Sequence, residues 1–243
     1  MEKLKEILKQ FDTNRNEFKG VWDENAVAAC FQPCAKEILS NGYFLINGTY
    51  IIELGSIELY YHEEEGSIKD PVMYHTNNKG AYSKYYKEKN ELPFFEFGSF
   101  NFHTSGIDIT FEKEKKYRAS FLIRSYRVLE NKDQLKSDEI EFDTCSTHIF
   151  EDMFPKGVLL NDKKKIDIEW VVDEYKRNVA VVPCKRINIA EYTKNSDGKY
   201  VKKEISEEKY KLSTDKHLYF KYGKHYYEKE TREWGFKQSR LNK

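Results

Sequence analysis

The chain contains Tyr43-Phe-Leu-Ile-Asn47-Gly48-Thr-Tyr50-Ile-Ile-Glu-Leu54, and this stretch decides the class of fold. Two runs of β-branched and aromatic residues flank Asn47-Gly48. Asn-Gly between such runs is the strongest short-range signal for a tight β-hairpin. We therefore expect a strand over Tyr43–Ile46 and a returning strand over Tyr50–Tyr61. A hairpin at this position predicts a sheet in which antiparallel pairing dominates.

The returning strand continues into Gly55-Ser-Ile-Glu58-Leu-Tyr60-Tyr-His62, which places a carboxylate at the edge of an apolar run. A Glu held against apolar walls tends to have a raised pKa and can accept a proton near neutral pH. The aromatic rings beside it offer flat faces to a planar ligand. Glu58 is therefore a candidate catalytic base and Tyr60 a candidate ligand contact. The alternative is a strand with one solvent-facing Glu.

The composition is that of a polar but globular protein. Hydrophobic residues make up 39% and charged residues 34% of the 243 positions, enough for one large domain or two small ones. Aromatic residues reach 15%, a bias that favours strands and stacking surfaces. The 41 basic and 41 acidic residues cancel, which argues against a large phosphate-binding surface and leaves room for a local basic patch.

The cysteines and the termini give no sign of a metal site or of a membrane segment. Cys30 and Cys34 are spaced C-x-x-x-C, Cys145 and Cys184 are isolated, and no His lies at metal-ligand spacing from them. We expect reduced, mostly buried thiols and no bound metal. The first residues lack an apolar signal core, and no run approaches membrane-spanning length. The expected protein is soluble and cytoplasmic, without a membrane partner.

Helical periodicity is found near the start of the chain. Apolar residues fall at helical spacing at Leu4, Ile7, Leu8 and Phe11. We expect a peripheral amphipathic helix over residues 1–12, which Asp12-Thr-Asn14 can end. A second helix is expected after Pro33, because proline suits a first turn, and Asn41-Gly42 would stop it.

The rest of the chain predicts strands and loops. Residues 63–92 are polar and carry a Tyr/Lys cluster over residues 82–87, so we expect an inserted loop there. Strand patterns follow over Phe94–Phe111 (strand, turn, strand), Tyr117–Leu129 and Leu218–Tyr227 (a hairpin). Further segments predict one helix or strand each at Ile166–Val172 and Val179–Val182, and a turn into a strand at Pro183–Ile189. The expected architecture is a single α+β domain over residues 1–243, with a curved, mainly antiparallel sheet and flanking helices.

Several segments resemble, in consistent order, motifs of the methylpurine (alkyladenine, 3-methyladenine) DNA glycosylases. These segments are Cys34–Leu39 with the hairpin after it, Ser56–Tyr60, Asp70–His75, Phe94–His103, Ala119–Arg124, Pro183–Ile189 and Leu218–Lys224. Ser56–Tyr60 resembles the strand that carries the catalytic Glu of the family. Asp70–His75 resembles its acidic turn, which ends in a base-contacting His, and Ala119–Arg124 resembles its strand with an active-site Arg.

The resemblance implies the fold of that family and hydrolysis of the N-glycosidic bond of a modified or alkylated base. Glu58 would activate the attacking water. Tyr60 and His103 would border the extruded base, and His75 would hydrogen-bond to it. Arg124 would lie near a backbone phosphate or position the water.

The resemblance further implies a DNA or nucleotide substrate, a role in base excision repair of DNA damage or in DNA modification, and no metal or organic cofactor. The Lys185-Arg186 pair would contact phosphate. The water-orienting Asn of the family falls near Asp108 or Thr110 of this chain. The aromatic residue that the family inserts into the duplex falls at Thr104-Ser105.

Candidate site residues also have a second interpretation. Asp108 lies between two isoleucines and points opposite to them, towards solvent or a cleft. Arg124 could form a structural salt bridge, with Glu58 itself as a candidate partner. His75 could be a surface residue and His103 a hydrogen-bonded core residue. The pair Lys185-Arg186 could simply be solvated.

Two other functions remain open. The chain could be a catalytically diverged nucleic-acid or nucleotide-binding module with the same fold, as its zero net charge suggests. It could also be an unrelated hydrolase that uses Glu58 and Asp108 as paired carboxylates. Whether Glu58, His75, His103 and Arg124 line one cleft is the main question for the fold.

Overall fold

The structure is a computed structural model that describes residues 1–73, 94–137, 141–153, 167–173 and 179–240. Its α-helices are α1 (Glu2–Glu17), α2 (Glu24–Asn41), α3 (Ile149–Met153) and α4 (Glu207–Leu212). Short 3-10 helices cover Lys132–Lys136 and Lys216–Leu218. The strands are β1 (Gly42–Ile46), β2 (Tyr50–Glu63), β3 (Phe100–His103), β4 (Gly106–Thr110), β5 (Tyr117–Leu129), β6 (Ile168–Val172), β7 (Val179–Cys184), β8 (Tyr192–Lys194), β9 (Tyr200–Lys202), β10 (Glu204–Ile205), β11 (Tyr219–Tyr222), β12 (His225–Glu228) and β13 (Gly235–Arg240).

The largest sheet has eight antiparallel strands that curl into a half-barrel. Its main path runs β3-β4-β5-β2-β1-β6, and β13 joins β2 to β7. Strand β2 pairs with β5 along one side, and with β1 and then β13 along the other. This confirms the prediction of a single α+β domain built on a curved, mainly antiparallel sheet. The loop predicted over residues 63–92 lies mostly outside the described residues.

The predicted hairpin forms as the Asn-Gly signal indicates. Strands β1 and β2 pair antiparallel with Phe44 opposite Ile52 and Ile46 opposite Tyr50. The two turn residues, Asn47 and Gly48, both have positive φ, 50° and 67°. Positive φ at both central positions gives a turn whose twist matches that of the flanking strands.

Strands β2 and β5 form the longest ladder of the sheet, and a bulge interrupts it. Leu54 faces Tyr126, Ser56 faces Ser125 and Ile57 faces Ile123, so the register skips Gly55 and Arg124. A Cβ at Gly55 would lie 2.5 Å from the Phe142 ring, which explains the glycine. Bulges of this kind turn a side chain towards a new direction and occur often beside active sites.

Helices α1 and α2 pack against one face of the half-barrel. The buried side chains of α1 are Leu4, Ile7, Leu8 and Phe11. The Phe11 ring contacts the rings of Phe31 in α2, Tyr61 in β2 and Phe111. The prediction that this helix is peripheral is therefore wrong, because its apolar stripe forms part of the main core. No helix in the described ranges is long and apolar enough to cross a membrane.

Both helices are longer than predicted, because tertiary contacts and a cap outweigh the local stop signals. The α1 helix continues past Asp12-Thr-Asn14, where the Asn14 side chain donates to the Cys30 carbonyl (2.9 Å). The α2 helix begins at Glu24, since the Asp23 side chain accepts the Ala26 N–H (2.8 Å). Pro33 therefore lies inside the helix, where it removes one backbone hydrogen bond, and not in its first turn.

In the second half of the chain, two segments for which the sequence allowed a helix or a strand are strands, and strand β13 was not predicted. The segments around residues 168–172 and 179–184 are both strands. Pro183 belongs to the end of β7, so the predicted turn into a strand after it is wrong. Among the described strands β7 pairs with β13 alone, and such edge positions tolerate proline. Strand β13, which holds β2 and β7 together, was missed.

Two small sheets follow β7 in the chain. Strands β8 and β9 form a hairpin, and β10, β12 and β11 form a three-stranded antiparallel sheet. The β11–β12 turn at Gly223 has φ +60°, which confirms the predicted hairpin over Leu218–Tyr227. The segment between β7 and β8 is joined to the segment between β12 and β13, since Glu230 N–H donates to the Ile189 carbonyl (3.0 Å).

The position of α1 in the core makes a stability prediction. Replacing Phe11 by Ala should lower the free energy of unfolding by about 3–5 kcal/mol, because a fully buried aromatic side chain is lost. Phe18, at the end of the same helix, is 37% exposed, so Phe18→Ala should cost much less. Urea unfolding followed by circular dichroism measures both. Equal costs for the two variants would contradict the placement of α1.

Candidate active site

A row of neighbouring residues crosses six strands of the main sheet, and Glu58 lies in it. The register pairs follow one another across the sheet in the order Asn101, Asp108, Leu122, Glu58, Gly235 and Cys184. Directly paired residues point to the same face of a sheet. Glu58 and Asp108 therefore share a face, with Leu122 between them. This face is opposite to the one that packs on α1 and α2 through Ile57 and Leu59.

Glu58 is 2% exposed and is held by two hydrogen-bond donors and one guanidinium group. Its Oε1 accepts a hydrogen bond from the backbone N–H of Ile187 (2.5 Å) and lies 3.2 Å from Nε of Arg124. Its Oε2 accepts a hydrogen bond from the Tyr60 hydroxyl (3.0 Å). Glu58 is therefore not the solvent-facing strand residue that the alternative proposed.

Burial raises the pKa of Glu58, and the charge of Arg124 and the Ile187 N–H act in the opposite direction. Burial is the larger effect, so the pKa of Glu58 lies above its ordinary value. A raised pKa makes a carboxylate more basic, which suits proton abstraction near neutral pH. The prediction of a shielded Glu with a raised pKa agrees with this geometry.

Tyr60 is half-buried and contacts both Glu58 and a guanidinium group. The guanidinium carbon of Arg186 lies 4.5 Å from the centre of the Tyr60 ring. Burial, together with the Glu58 charge, raises the pKa of Tyr60 well above its ordinary value, so the hydroxyl stays a donor. One face of the ring is already occupied, which limits Tyr60 to contact with a planar ligand on its other face or edge.

Arg124 lies at the bulge of β5 and bridges Glu58 to two loops. Besides the Glu58 ion pair, its terminal nitrogens donate to the Ser146 hydroxyl and to the Ile187 carbonyl, each at 3.4 Å. The Nε–Glu58 contact is an ion pair and not a directed hydrogen bond, since this Nε donates none in the described part of the chain. The salt bridge with Glu58 that the sequence left open is thus present.

Asp108 and His103 form a second pair on the same face. His103 Nε2 lies 3.3 Å from Oδ2 of Asp108, and His103 Nδ1 accepts the Ser105 N–H (3.2 Å). Asp108 is 3% exposed, and its Oδ1 accepts no hydrogen bond from any described residue. Buried polar atoms normally have a partner. His75 lies outside the described residues.

Arg186 does not contact solvent, which corrects its prediction as a phosphate-binding residue. Its five N–H donors form five hydrogen bonds with protein oxygens. The acceptors are the Leu59 carbonyl, both carboxylate oxygens of Asp70 and both of Glu230. A fully buried guanidinium with no unused donor cannot bind DNA. Lys185 is exposed, so it remains available for such a contact.

Sequence reasoning missed several residues of this buried network. Arg232 donates to Asp70 (3.3 Å) and to Glu230 (2.9 Å) and stacks on Trp234 (4.4 Å). Asp70 lies 162 residues before Arg232 in the chain, so no spacing rule links these two residues. The Ile187 donor was missed because it is a backbone group, which a search for reactive side chains does not find.

The described residues include no group of three or more His, Cys, Asp or Glu that could hold a metal ion. A shallow depression of about 570 Å³ lies elsewhere, lined by Tyr126, Phe142, Asp143 and Asp152 among others. It contains none of the residues around Glu58. This concavity therefore does not coincide with the buried titratable groups around Glu58, and the perturbed pKa of Glu58 is the better guide to a site.

The Arg186 network makes a second stability prediction. Replacing Arg186 by Met should cost about 3–5 kcal/mol of unfolding free energy, because Asp70 and Glu230 lose their buried counter-charge. Lys185→Met, one position away and exposed, is the matched control and should be near neutral.

The loss of unfolding free energy in Arg186→Met should depend on pH. Burial raises the pKa of Asp70, but the charges of Arg186 and Arg232 outweigh it and hold that pKa below its ordinary value. A depressed pKa stabilises the folded state above the unfolded pKa, and this stability is lost as the pH falls. The deficit of Arg186→Met should therefore shrink in acid. Urea unfolding at several pH values measures this, and a deficit that grows in acid would contradict it.

Comparison with known proteins gives no match to a protein-family model, a curated protein or a solved structure. The resemblance to methylpurine DNA glycosylases therefore stays a prediction. The candidate site is defined by the geometry of its own residues: a buried Glu, its arginine partner and a neighbouring Asp–His pair on one face of a half-barrel.

Proposed function

We propose that this protein hydrolyses the N-glycosidic bond of a modified or alkylated base in DNA, with Glu58 activating the attacking water, in DNA repair or DNA modification. The observation that carries the proposal is the environment of Glu58. It is a buried carboxylate with a raised pKa, fixed by Arg124, Ile187 and Tyr60.

The donors around Glu58 fix its orientation without removing its basicity. Each carboxylate oxygen has more than one lone pair, so an oxygen that accepts one hydrogen bond can accept another from water. The charge of Arg124 favours the ionised form, while burial raises the pKa of Glu58 above that of an exposed Glu. Both conditions are required of a general base at neutral pH.

The chemical step that this group supports is a displacement at the anomeric carbon. The water oxygen forms a bond to that carbon, and Glu58 takes a water proton. The bond between the carbon and the base nitrogen breaks, and its electron pair leaves with the base. A purine alkylated at N3 or N7 carries a positive charge, so it leaves as a neutral molecule without an added proton.

Asp108 and His103 are proposed to contact the base or the water, on the same face as Glu58. The buried Oδ1 of Asp108 has unused acceptor capacity among the described residues. A water molecule, or an N–H group of the base, would satisfy it. The resemblance to the glycosylases adds support, because Glu58 and Arg124 match the family motifs and contact each other here.

One alternative function is binding without catalysis, and another is hydrolysis in which Glu58 and Asp108 act as paired carboxylates. The backbone spacing of Glu58 and Asp108 is two strands, about 10 Å. This is wide for the paired carboxylates of a retaining glycosidase, which lie about 5 Å apart. In an inverting glycosidase the two carboxyl groups lie about 6.5–9.5 Å apart, so a paired-carboxylate hydrolase of the inverting type is a further candidate.

Replacing Glu58 by Gln should lower the rate of base release by about 10²-fold or more, because the proton acceptor is lost. The assay measures free base released from DNA treated with dimethyl sulfate, and from nitrous-acid-deaminated DNA. Glu53→Gln is the matched control: Glu53 is buried on the same strand and pairs with Arg127 (2.5 Å), outside the row. It should leave the rate per folded molecule unchanged.

Two results would overturn the proposal. One is base release by Glu58→Gln as fast as by the unaltered protein. The other is no base release by the unaltered protein from either DNA, which would favour the binding module.

The rate should rise with pH through the pKa of Glu58, which lies above the ordinary Glu value, because only the ionised form accepts a proton. Arg124→Gln removes a charge that lowers this pKa. The midpoint should therefore move to higher pH. Arg127→Gln, which breaks the Glu53 pair, should leave the midpoint in place. A midpoint that moves down in Arg124→Gln would contradict the role of Arg124.

A further inference from the structure

The β8–β9 hairpin presents tyrosine and lysine side chains on a single face. Tyr192 pairs with Lys202 and Lys194 pairs with Tyr200, and side chains two apart on a strand share a face. The ammonium group of Lys194 lies 5.3 Å from the centre of the Tyr200 ring. Tyr200 is 42% exposed, and both lysines are exposed.

The neighbouring three-stranded sheet continues this face. Lys202 of the hairpin lies 5.4 Å from the centre of the Tyr227 ring in β12. Tyr227 is paired with Phe220 of β11, and their ring centres are 5.6 Å apart. We name the combined face the Tyr/Lys surface, formed by Tyr192, Lys194, Tyr200, Lys202, Phe220 and Tyr227.

The other face of the three-stranded sheet is covered. Helix α4 packs there, with Tyr210 against Tyr226 (ring centres 4.7 Å apart), and the Tyr226 hydroxyl donates to Glu207 (3.3 Å). Tyr226 is 8% exposed. The two faces therefore differ: one packs against the protein's own helix, and the Tyr/Lys surface is open to a ligand.

The charge of the Tyr/Lys surface is positive, although that of the chain is zero. Lys194 and Lys202 are placed over aromatic rings, and their ammonium groups have no carboxylate within 4 Å among the described residues. The acidic residue of this face, Glu204, contacts His225 (2.7 Å). Aromatic rings interleaved with unpaired cations complement a ligand of flat rings joined by anionic groups.

We infer that the Tyr/Lys surface binds single-stranded nucleic acid, with unpaired bases stacked on the tyrosines and backbone phosphates paired with the lysines. Stacking platforms of this kind accept any base, since every base has a π-face, and lysines follow the backbone. A base that stacks on Tyr200 displaces the flexible Lys194 side chain, and its ammonium group then reaches the adjacent phosphate. For its link to catalysis the inference rests on the proposed function.

The surface lies beside the network under the candidate site. Tyr192 is close enough to Asp70, Arg186 and Glu230 for their charges to act on its hydroxyl. Arg186 in turn stacks on Tyr60, which donates to Glu58. A nucleic-acid strand bound along the Tyr/Lys surface would therefore approach the face of the main sheet that carries Glu58.

The β3–β4 hairpin agrees with a single-stranded substrate. Its turn carries Thr104 and Ser105, both small, polar and exposed. Extruding a base from a duplex costs a few kcal/mol, which a base already unpaired does not require. A surface that binds unpaired bases therefore suits a single-stranded substrate, in which no base pair has to be opened.

The test is fluorescence anisotropy with a labelled thymine oligonucleotide, its uridine RNA counterpart and a DNA duplex of the same length. The Glu58→Gln protein is used so that no turnover occurs. We expect saturable binding of a single strand, at least tenfold tighter than of the duplex and weaker as salt rises from about 50 to about 200 mM. The DNA and RNA arms decide which strand is preferred.

Tyr200→Leu should weaken single-strand binding at least about fivefold, through loss of one stacked base. Lys202→Ala should lower the slope of log affinity against log salt by about one, through loss of one phosphate contact. Lys221→Ala is the matched control. Lys221 also lies 5.4 Å from a tyrosine ring, that of Tyr226, on the covered face. Lys221→Ala should change neither the affinity for a single strand nor the slope of log affinity against log salt.

The outcomes separate this inference from the proposed function. Three results would each overturn the inference that the Tyr/Lys surface binds single strands. They are an equal change of the salt slope in Lys202→Ala and Lys221→Ala, a duplex bound as tightly as a single strand, and full competition by polyglutamate. Base release assays are independent of these results. A protein that binds single strands through this surface and releases no base would keep the inference and refute the glycosylase activity.

Discussion

The buried guanidinium of Arg186 is the interaction on which the candidate site depends. It contacts β2 at the Leu59 carbonyl, the segment after β2 at Asp70 and the segment before β13 at Glu230. A buried charge is tolerated only when its donors are matched, so these segments hold fixed positions relative to one another. The next residue, Ile187, is placed by the same contacts, and its N–H group fixes Glu58.

Glu58 combines two opposing effects on one carboxylate. Removal from water favours the neutral form, while Arg124, the Ile187 N–H and the Tyr60 hydroxyl favour the ion. Arg124 lies two residues after Leu122, the partner of Glu58, and therefore on the face of Glu58, and the bulge between β2 and β5 leaves Arg124 outside the register pairs. The outcome is a carboxylate of fixed orientation with a raised pKa.

Local patterns predicted the parts of the fold in which neighbours in the chain are neighbours in space. The Asn47-Gly48 hairpin and the strand Tyr117–Leu129 form as expected, because turn chemistry and β-propensity act over a few residues. Pro33 and Pro183 misled the prediction, since α2 begins at the Asp23 cap and contains Pro33 in its interior, and β7 includes Pro183 because its position at the sheet edge tolerates proline. Strand β13 was missed because its partners lie far away in the chain.

The sequence by itself determined an α+β domain with an antiparallel sheet, and it identified Glu58, Asp108, His103 and Arg124 as residues of interest. Only the tertiary structure decided that these four share one face and that Arg186 is an interior residue. The physical reason is that alternation along a strand specifies which side chains share a face within one strand. Strand order, register and the partners of a buried charge depend on contacts between distant segments, which no local pattern encodes.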